Sequence, residues 1–97
     1  TEADARYLAM NDIKIVEDEL CRVQPVVNDL DAVRQLILMD MAFNMGVPRL
    51  CKFKKMWAAI HERKFDAAGR EMLDSRWAKQ VGSRATKLSD AMKKGEF

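Results

Sequence analysis

Asp40 and Asn44 stand four residues apart in a run that is otherwise apolar on nearly every side. A spacing of four puts two side chains on one face of a helix. An acid and an amide therefore share one narrow polar strip, which must meet water, a partner or a ligand. Asp40 is the acid best placed to do chemistry, but no second carboxylate accompanies it at local spacing. Glu17, Asp18, Glu19, Glu62 and Asp90 fall on what should be outward faces and read as solvated charge. Cys21 and Cys51 have no CxxC spacing, and His61 is the single histidine, so neither a zinc site nor a redox motif has support. Two free, partly buried thiols and a Cys21–Cys51 disulfide both remain open. No metal and no cofactor is expected.

The elements that hold this strip follow from composition and pattern. The chain has 97 residues, 48% of them apolar and 33% charged, with four Gly and two Pro. That suits one helical domain spanning 1–97, without room for a second complete core. The net charge of +2 conceals an asymmetry, with eight acids against three bases in residues 1–31 and seven against fourteen in residues 32–97. The basic part could face nucleic acid, an anionic cell-wall polymer or simply water. No stretch approaches the roughly 18 uninterrupted apolar residues of a membrane span, and no signal-peptide pattern is present. A membrane partner is not expected. The start at Thr1 is compatible with processing and equally with a segment taken from a longer chain.

Thr1 can cap a first helix, whose early acids Glu2 and Asp4 suit its positive end. Ala5, Ala9, Ile13, Val16 and Leu20 form an apolar stripe, and Pro25 predicts an end near Arg22. Asp31 is placed to cap a second helix over Ala32–Met45, which Gly46 stops. Because this helix is apolar on nearly every face, it belongs in the middle of a bundle. After Val47-Pro48, a short turn or helix around Arg49–Cys51 leads to a helix over Lys54–Glu62 with Met56, Trp57 and Ile60 inward. Helices are also expected over Phe65–Leu73, Arg76–Gln80 and Gly82–Lys94. In the last, Ala85, Leu88 and Met92 face inward and Gly95 terminates.

In order, four blocks stand out: Thr1-Glu2-Ala3-Asp4-Ala5 with Asn11-Asp12; Leu30-Asp31-Ala32-Val33-Arg34; Asp40-Met41-Ala42-Phe43-Asn44-Met45-Gly46; and Ser75-Arg76-Trp77-Ala78-Lys79-Gln80-Val81-Gly82-Ser83-Arg84-Ala85. The ending Lys94-Gly95-Glu96-Phe97 accompanies them. With these blocks in this order, the chain resembles the phage-type lysozymes or muramidases, glycoside hydrolase family 24, over almost its whole length. The resemblance is to the C-terminal helical lobe alone. It implies an all-α fold, a compact multi-helix lobe with a long N-terminal amphipathic helix and a buried central helix. Residues 1–22 resemble the helix that connects the two lobes in intact members.

The resemblance also carries functional expectations. Family members have a helix with the catalytic Glu and a small β-sheet leading to a cleft Asp and Thr, and nothing in this sequence matches those parts. Glycoside hydrolysis needs a carboxylic acid at the leaving oxygen and usually a second carboxylate across the bond. No catalytic residue is therefore assigned, and the chain alone is expected to be inactive. The matching position of Asn44 faces the saccharide cleft, where an amide both donates and accepts hydrogen bonds; Asn44 is otherwise a polar near-cap before Gly46. Phe43 adds apolar area to that wall or belongs to the core. Trp77 lines the substrate side or packs at the lobe edge. Arg84 matches the arginine that positions the catalytic Glu, and without that Glu it should be an ordinary exposed arginine. The resemblance gives Asp40 no catalytic role, and Asp12 matches a place that meets the first lobe.

The implied partners are the peptidoglycan saccharide or the missing catalytic lobe, and apolar residues left uncovered would allow a homodimer. If the parent is a phage endolysin, it stays in the bacterial cytoplasm until release to the cell wall. Two other classes compete. One is a non-catalytic structural or interaction module reusing the lobe. The other is a helical nucleic-acid binder, suggested by Arg76, Lys79, Arg84, Lys87, Lys93 and Lys94. The small net charge, with Asp74 and Asp90 interleaved, speaks against specific nucleic-acid recognition.

Overall fold

The computed structural model describes the backbone of residues 2–97 and the side chains of residues 13–97. Seven α-helices and one 3₁₀ turn follow in order: α1 (Glu2–Val23), the turn Pro25–Asp29, α2 (Ala32–Met45), α3 (Val47–Cys51), α4 (Lys54–His61), α5 (Phe65–Leu73), α6 (Arg76–Val81) and α7 (Ser83–Lys94). No strand occurs among the described residues. The all-α class expected from the sequence is the observed one. Thr1 and the side chains of Ala5, Ala9 and Asp12 lie outside the described residues.

Local chemistry sets the helix ends. Asp31 caps α2 by accepting a hydrogen bond from the Arg34 backbone N–H at 3.1 Å. Gly46, at φ +90°, stops α2 while its N–H donates to the Ala42 carbonyl at 2.8 Å. Pro48 then sits in the first turn of α3, where its missing N–H costs nothing. Ser75 caps α6 through the Ala78 N–H. The 3₁₀ turn was not foreseen; Pro25 opens it and Val26 and Val27 are buried by it.

Among the described residues the buried apolar side chains form one cluster. Leu20, Ile37, Leu38, Met41, Leu50, Met56, Ile60, Met72 and Met92 are completely enclosed. The inward faces expected for α4 and α7 are those observed, and Trp57 joins α4 to α3 by donating from Nε1 to the Leu50 carbonyl at 2.9 Å. Two expectations change. Ile13, expected on the inward stripe of α1, is 47% exposed, whereas Leu20 on the same helix is fully enclosed. The central helix α2 is buried on one side only: Ile37, Leu38, Met41 and Ala42 face the core, whereas Leu36 and Phe43 face outward.

Helices α5 and α7 make the closest packing. Ser89, fully buried, donates from its hydroxyl to the Gly69 carbonyl at 2.8 Å. A Cβ on Gly69 would lie 2.8 Å from Lys93 Cγ and 2.9 Å from the Ser89 carbonyl oxygen. The missing side chain is what lets the two backbones meet.

Two outcomes follow from this packing and capping. Gly69→Ala gains about 1 kcal/mol in helix propensity but overpacks the contact by about 1–3 kcal/mol. The variant should unfold at lower urea than wild type, and an unchanged or higher midpoint would contradict the contact. At Asp31, partial burial pushes the carboxyl upward, but the Arg34 backbone N–H, guanidinium hydrogen bond and charge outweigh it and hold the group below its usual range. A carboxyl lowered on folding stabilises the protein above its unfolded pKa, about 3.9, and that contribution is lost as pH falls through the folded value. Asp31→Ala should cost about 1 kcal/mol at pH 7, and urea titrations should show the gap to wild type narrowing below about pH 4. An equal gap at pH 7 and pH 3 would count against it.

Candidate functional site

The polar strip of α2 lies beside the first turn of α7. Arg84, from that turn, donates through Nη2 to the Asp40 carboxylate, and the two side chains form a partly exposed ion pair. Asp40, without a second carboxylate beside it, is thus paired with a cation, and Arg84 is exposed as expected while also carrying that ion pair. Sequence spacing gave no signal for the pair, because its members are 44 residues apart.

The pair sits in an open, mainly apolar hollow of about 490 Å³, walled by Ile13 of α1, by Leu36, Met39 and Phe43 of α2, by Leu88 of α7 and by Phe97. Leu36 is 58% exposed, Phe43 48% and Phe97 77%. Phe43 is thus not a core residue. Exposed apolar area is thus gathered on one side of α2 around the ion pair. Among the described residues Asp40 is the only acid in the lining.

Asn44 is exposed one turn beyond Asp40 on the same face and makes no side-chain hydrogen bond among the described residues. The structure does not use it as a helix cap, since Gly46 ends α2 through its own N–H. Trp77 is separate from this hollow. It is only 5% exposed and lines a second concavity with Met45, Phe53 and Gln80. Its Nε1 donor is buried without a hydrogen-bond partner. The structure therefore brings Phe43 and Arg84 to one hollow and leaves Trp77 at another. Ile13, Leu36, Met39 and Phe97 were not singled out as site residues. Their sequence signal was the apolar character of α2 on every face, which reveals surplus apolar area but not which part stays uncovered.

Other reactive groups offer less. Cys21 and Cys51 are free, half-buried thiols. Burial, reinforced by the Glu17 and Asp18 carboxylates, pushes the Cys21 thiol up and away from the reactive thiolate. Among the described residues no group of three or more His, Cys, Asp or Glu side chains could hold a metal ion, and no helix is long and apolar enough to cross a membrane.

No family model matches the chain. The curated proteins that resemble it include the following three. Probable T4-type lysozyme 2 of Dictyostelium discoideum is 33% identical over 70 residues, covering 72% of this chain and 41% of that protein. Probable T4-type lysozyme 1 of the same organism is 30% identical over 70 residues with the same coverage. Pre-baseplate central spike protein Gp5 of Enterobacteria phage T4 is 34% identical over 68 residues, covering 70% of this chain and 12% of the spike protein. The chain thus spans 41% of the length of the lysozymes it matches. Over some 70% of its residues, and with an all-helical structure consistent with that lineage, the chain is a homologue of T4-type lysozymes.

Proposed function

We propose that the chain is the helical lobe of a muramidase that cleaves peptidoglycan glycan strands, supplying one wall of the saccharide cleft and inactive by itself. The observation that carries this reading is the uncovered hollow around Asp40 and Arg84, in a chain whose lysozyme homology spans only 41% of its relatives. Glycoside hydrolysis requires a proton donor at the leaving oxygen. Here the single acid of the hollow among the described residues is engaged by a guanidinium. The acid must come from another lobe seated on Leu36, Phe43 and Phe97. Arg84 would then orient that acid as well as hold Asp40, and the lobe and the saccharide are the partners. Asn44 and Phe43 form the sugar-facing wall, the amide by exchanging hydrogen bonds and the ring by apolar contact. Trp77, 5% exposed and lining a separate concavity, is not part of that wall.

A second reading has one observation in its favour. The match to 12% of a central spike protein puts a similar stretch inside a much larger phage protein. On that reading the lobe is a structural or interaction module, and the same hollow binds a protein without any hydrolysis.

The purified 97-residue chain should leave the turbidity of a peptidoglycan suspension unchanged; reproducible lysis would overturn the proposal. Soluble peptidoglycan saccharides should shift the Asn44 side-chain amide in nuclear magnetic resonance spectra. Asn44→Ala should weaken that binding by about 0.5–1.5 kcal/mol, one net hydrogen bond. Saccharides that perturb neither Asn44 nor Phe43 would favour the structural module instead.

A further inference from the structure

We propose that the concavity between the end of α2, the α3–α4 turn and the start of α6 binds an oxyanion carried on an apolar or saccharide body. Its volume is about 300 Å³, and it shares no lining residue with the hollow around Arg84. Arg49, Lys52 and Arg76 line it, and among the described residues no acid does. None of the three cations forms an ion pair among the described residues. Cations gathered on one concave wall focus a positive potential into it. Guanidinium groups supply the forked donors that carboxylate and phosphate oxygens accept from.

The floor is apolar, and the Trp77 ring in it carries a reporter group. Trp77, 5% exposed, has a buried Nε1 donor with no partner, whereas the other indole, that of Trp57, donates to the Leu50 carbonyl. Met45 and Phe53 complete an apolar floor beside it, and the Gln80 amide lies on the rim. Ser75 is already committed, donating to the Met72 carbonyl and accepting from the Ala78 N–H. Glu71 and Asp74 line an adjoining hollow instead, which shares only Lys52, Phe53 and Ser75 with this one. The anion is accordingly drawn to the Arg49 and Arg76 side. An apolar floor of Met45, Phe53 and the Trp77 ring beneath a cationic rim suits an anionic head on an uncharged body better than a bare ion.

The two indoles provide the test. The ¹⁵N-labelled chain is titrated with phenyl phosphate, with phenylacetate and with neutral benzyl alcohol, following both indole N–H signals. The expected result is a saturable shift of the Trp77 signal with at least one of the two anions, no response from Trp57, and no saturation with benzyl alcohol. Which anion saturates first distinguishes a phosphate ligand from a carboxylate. Replacing both exposed arginines, Arg49→Gln with Arg76→Gln, should weaken the apparent Kd about tenfold. The proposal is overturned if neither anion saturates, if benzyl alcohol gives the same response, or if the double variant binds as wild type does. The titration of the unaltered chain decides the matter even if the variant folds poorly. It is also independent of any muramidase activity.

Discussion

The guanidinium of Arg34 carries a charge that is nearly out of water, its side chain only 12% exposed, and an arginine cannot shed that charge by deprotonating. It must be surrounded by acceptors. Nε donates to the Met92 carbonyl at 2.7 Å, Nη2 to the Lys93 carbonyl at 3.1 Å and Nη1 to Asp31 at 2.9 Å. The group also lies 3.5 Å from the ring centroid of Phe65, where the π face attracts a cation. The two carbonyls belong to the last turn of α7, which has no intrahelical donors for them and forms the negative end of that helix. One side chain thereby satisfies the end of α7, the cap of α2 and the first residue of α5. Gly95 makes room for it, since a Cβ there would come within 2.9 Å of Arg34 Nη1.

That clasp also determines where the candidate site lies. Arg34 near the start of α2 meets Met92 and Lys93 near the end of α7, while Asp40 farther along α2 meets Arg84 at the beginning of α7. The helices therefore run antiparallel, held at two points separated by about 9 Å along α2 and about 12 Å along α7. Between Gly69 and Ser89, α5 presses against α7 and keeps it in place. Arg84 faces the polar strip of α2 because of this alignment.

Burying one side of α2 leaves the other side uncovered. Leu36 and Phe43 point away from the core, and with Ile13 and Phe97 they form an apolar surface around a single ion pair. Dense packing within and bare apolar area without are the two sides of one helix that is hydrophobic all round. The concavity at Trp77 differs in kind, with cations on its rim and apolar side chains in its floor. The molecule thus presents two separate surfaces, one suited to apolar docking and one to an anion.

Much of the fold was legible without coordinates. Asp31, Gly46, Pro48 and Gly95 act through their own backbone geometry or hydrogen bonds to neighbours in sequence, so the ends of α2, α3 and α7 could be read directly. The inward faces of α4 and α7 likewise follow from periodicity, because a helix repeats every 3.6 residues whatever surrounds it. The order of motifs carried the resemblance to lysozymes, and identified Arg84, Asn44, Phe43 and Trp77 as residues of interest. What the tertiary structure decided was how those residues are partnered. Arg84 with Asp40, Arg34 with Met92 and Ser89 with Gly69 are 44, 58 and 20 residues apart, and no spacing rule links such pairs. It also decided which apolar faces are covered: periodicity says that a face is apolar, but covering it requires a neighbour, and neighbours exist only once the chain has folded.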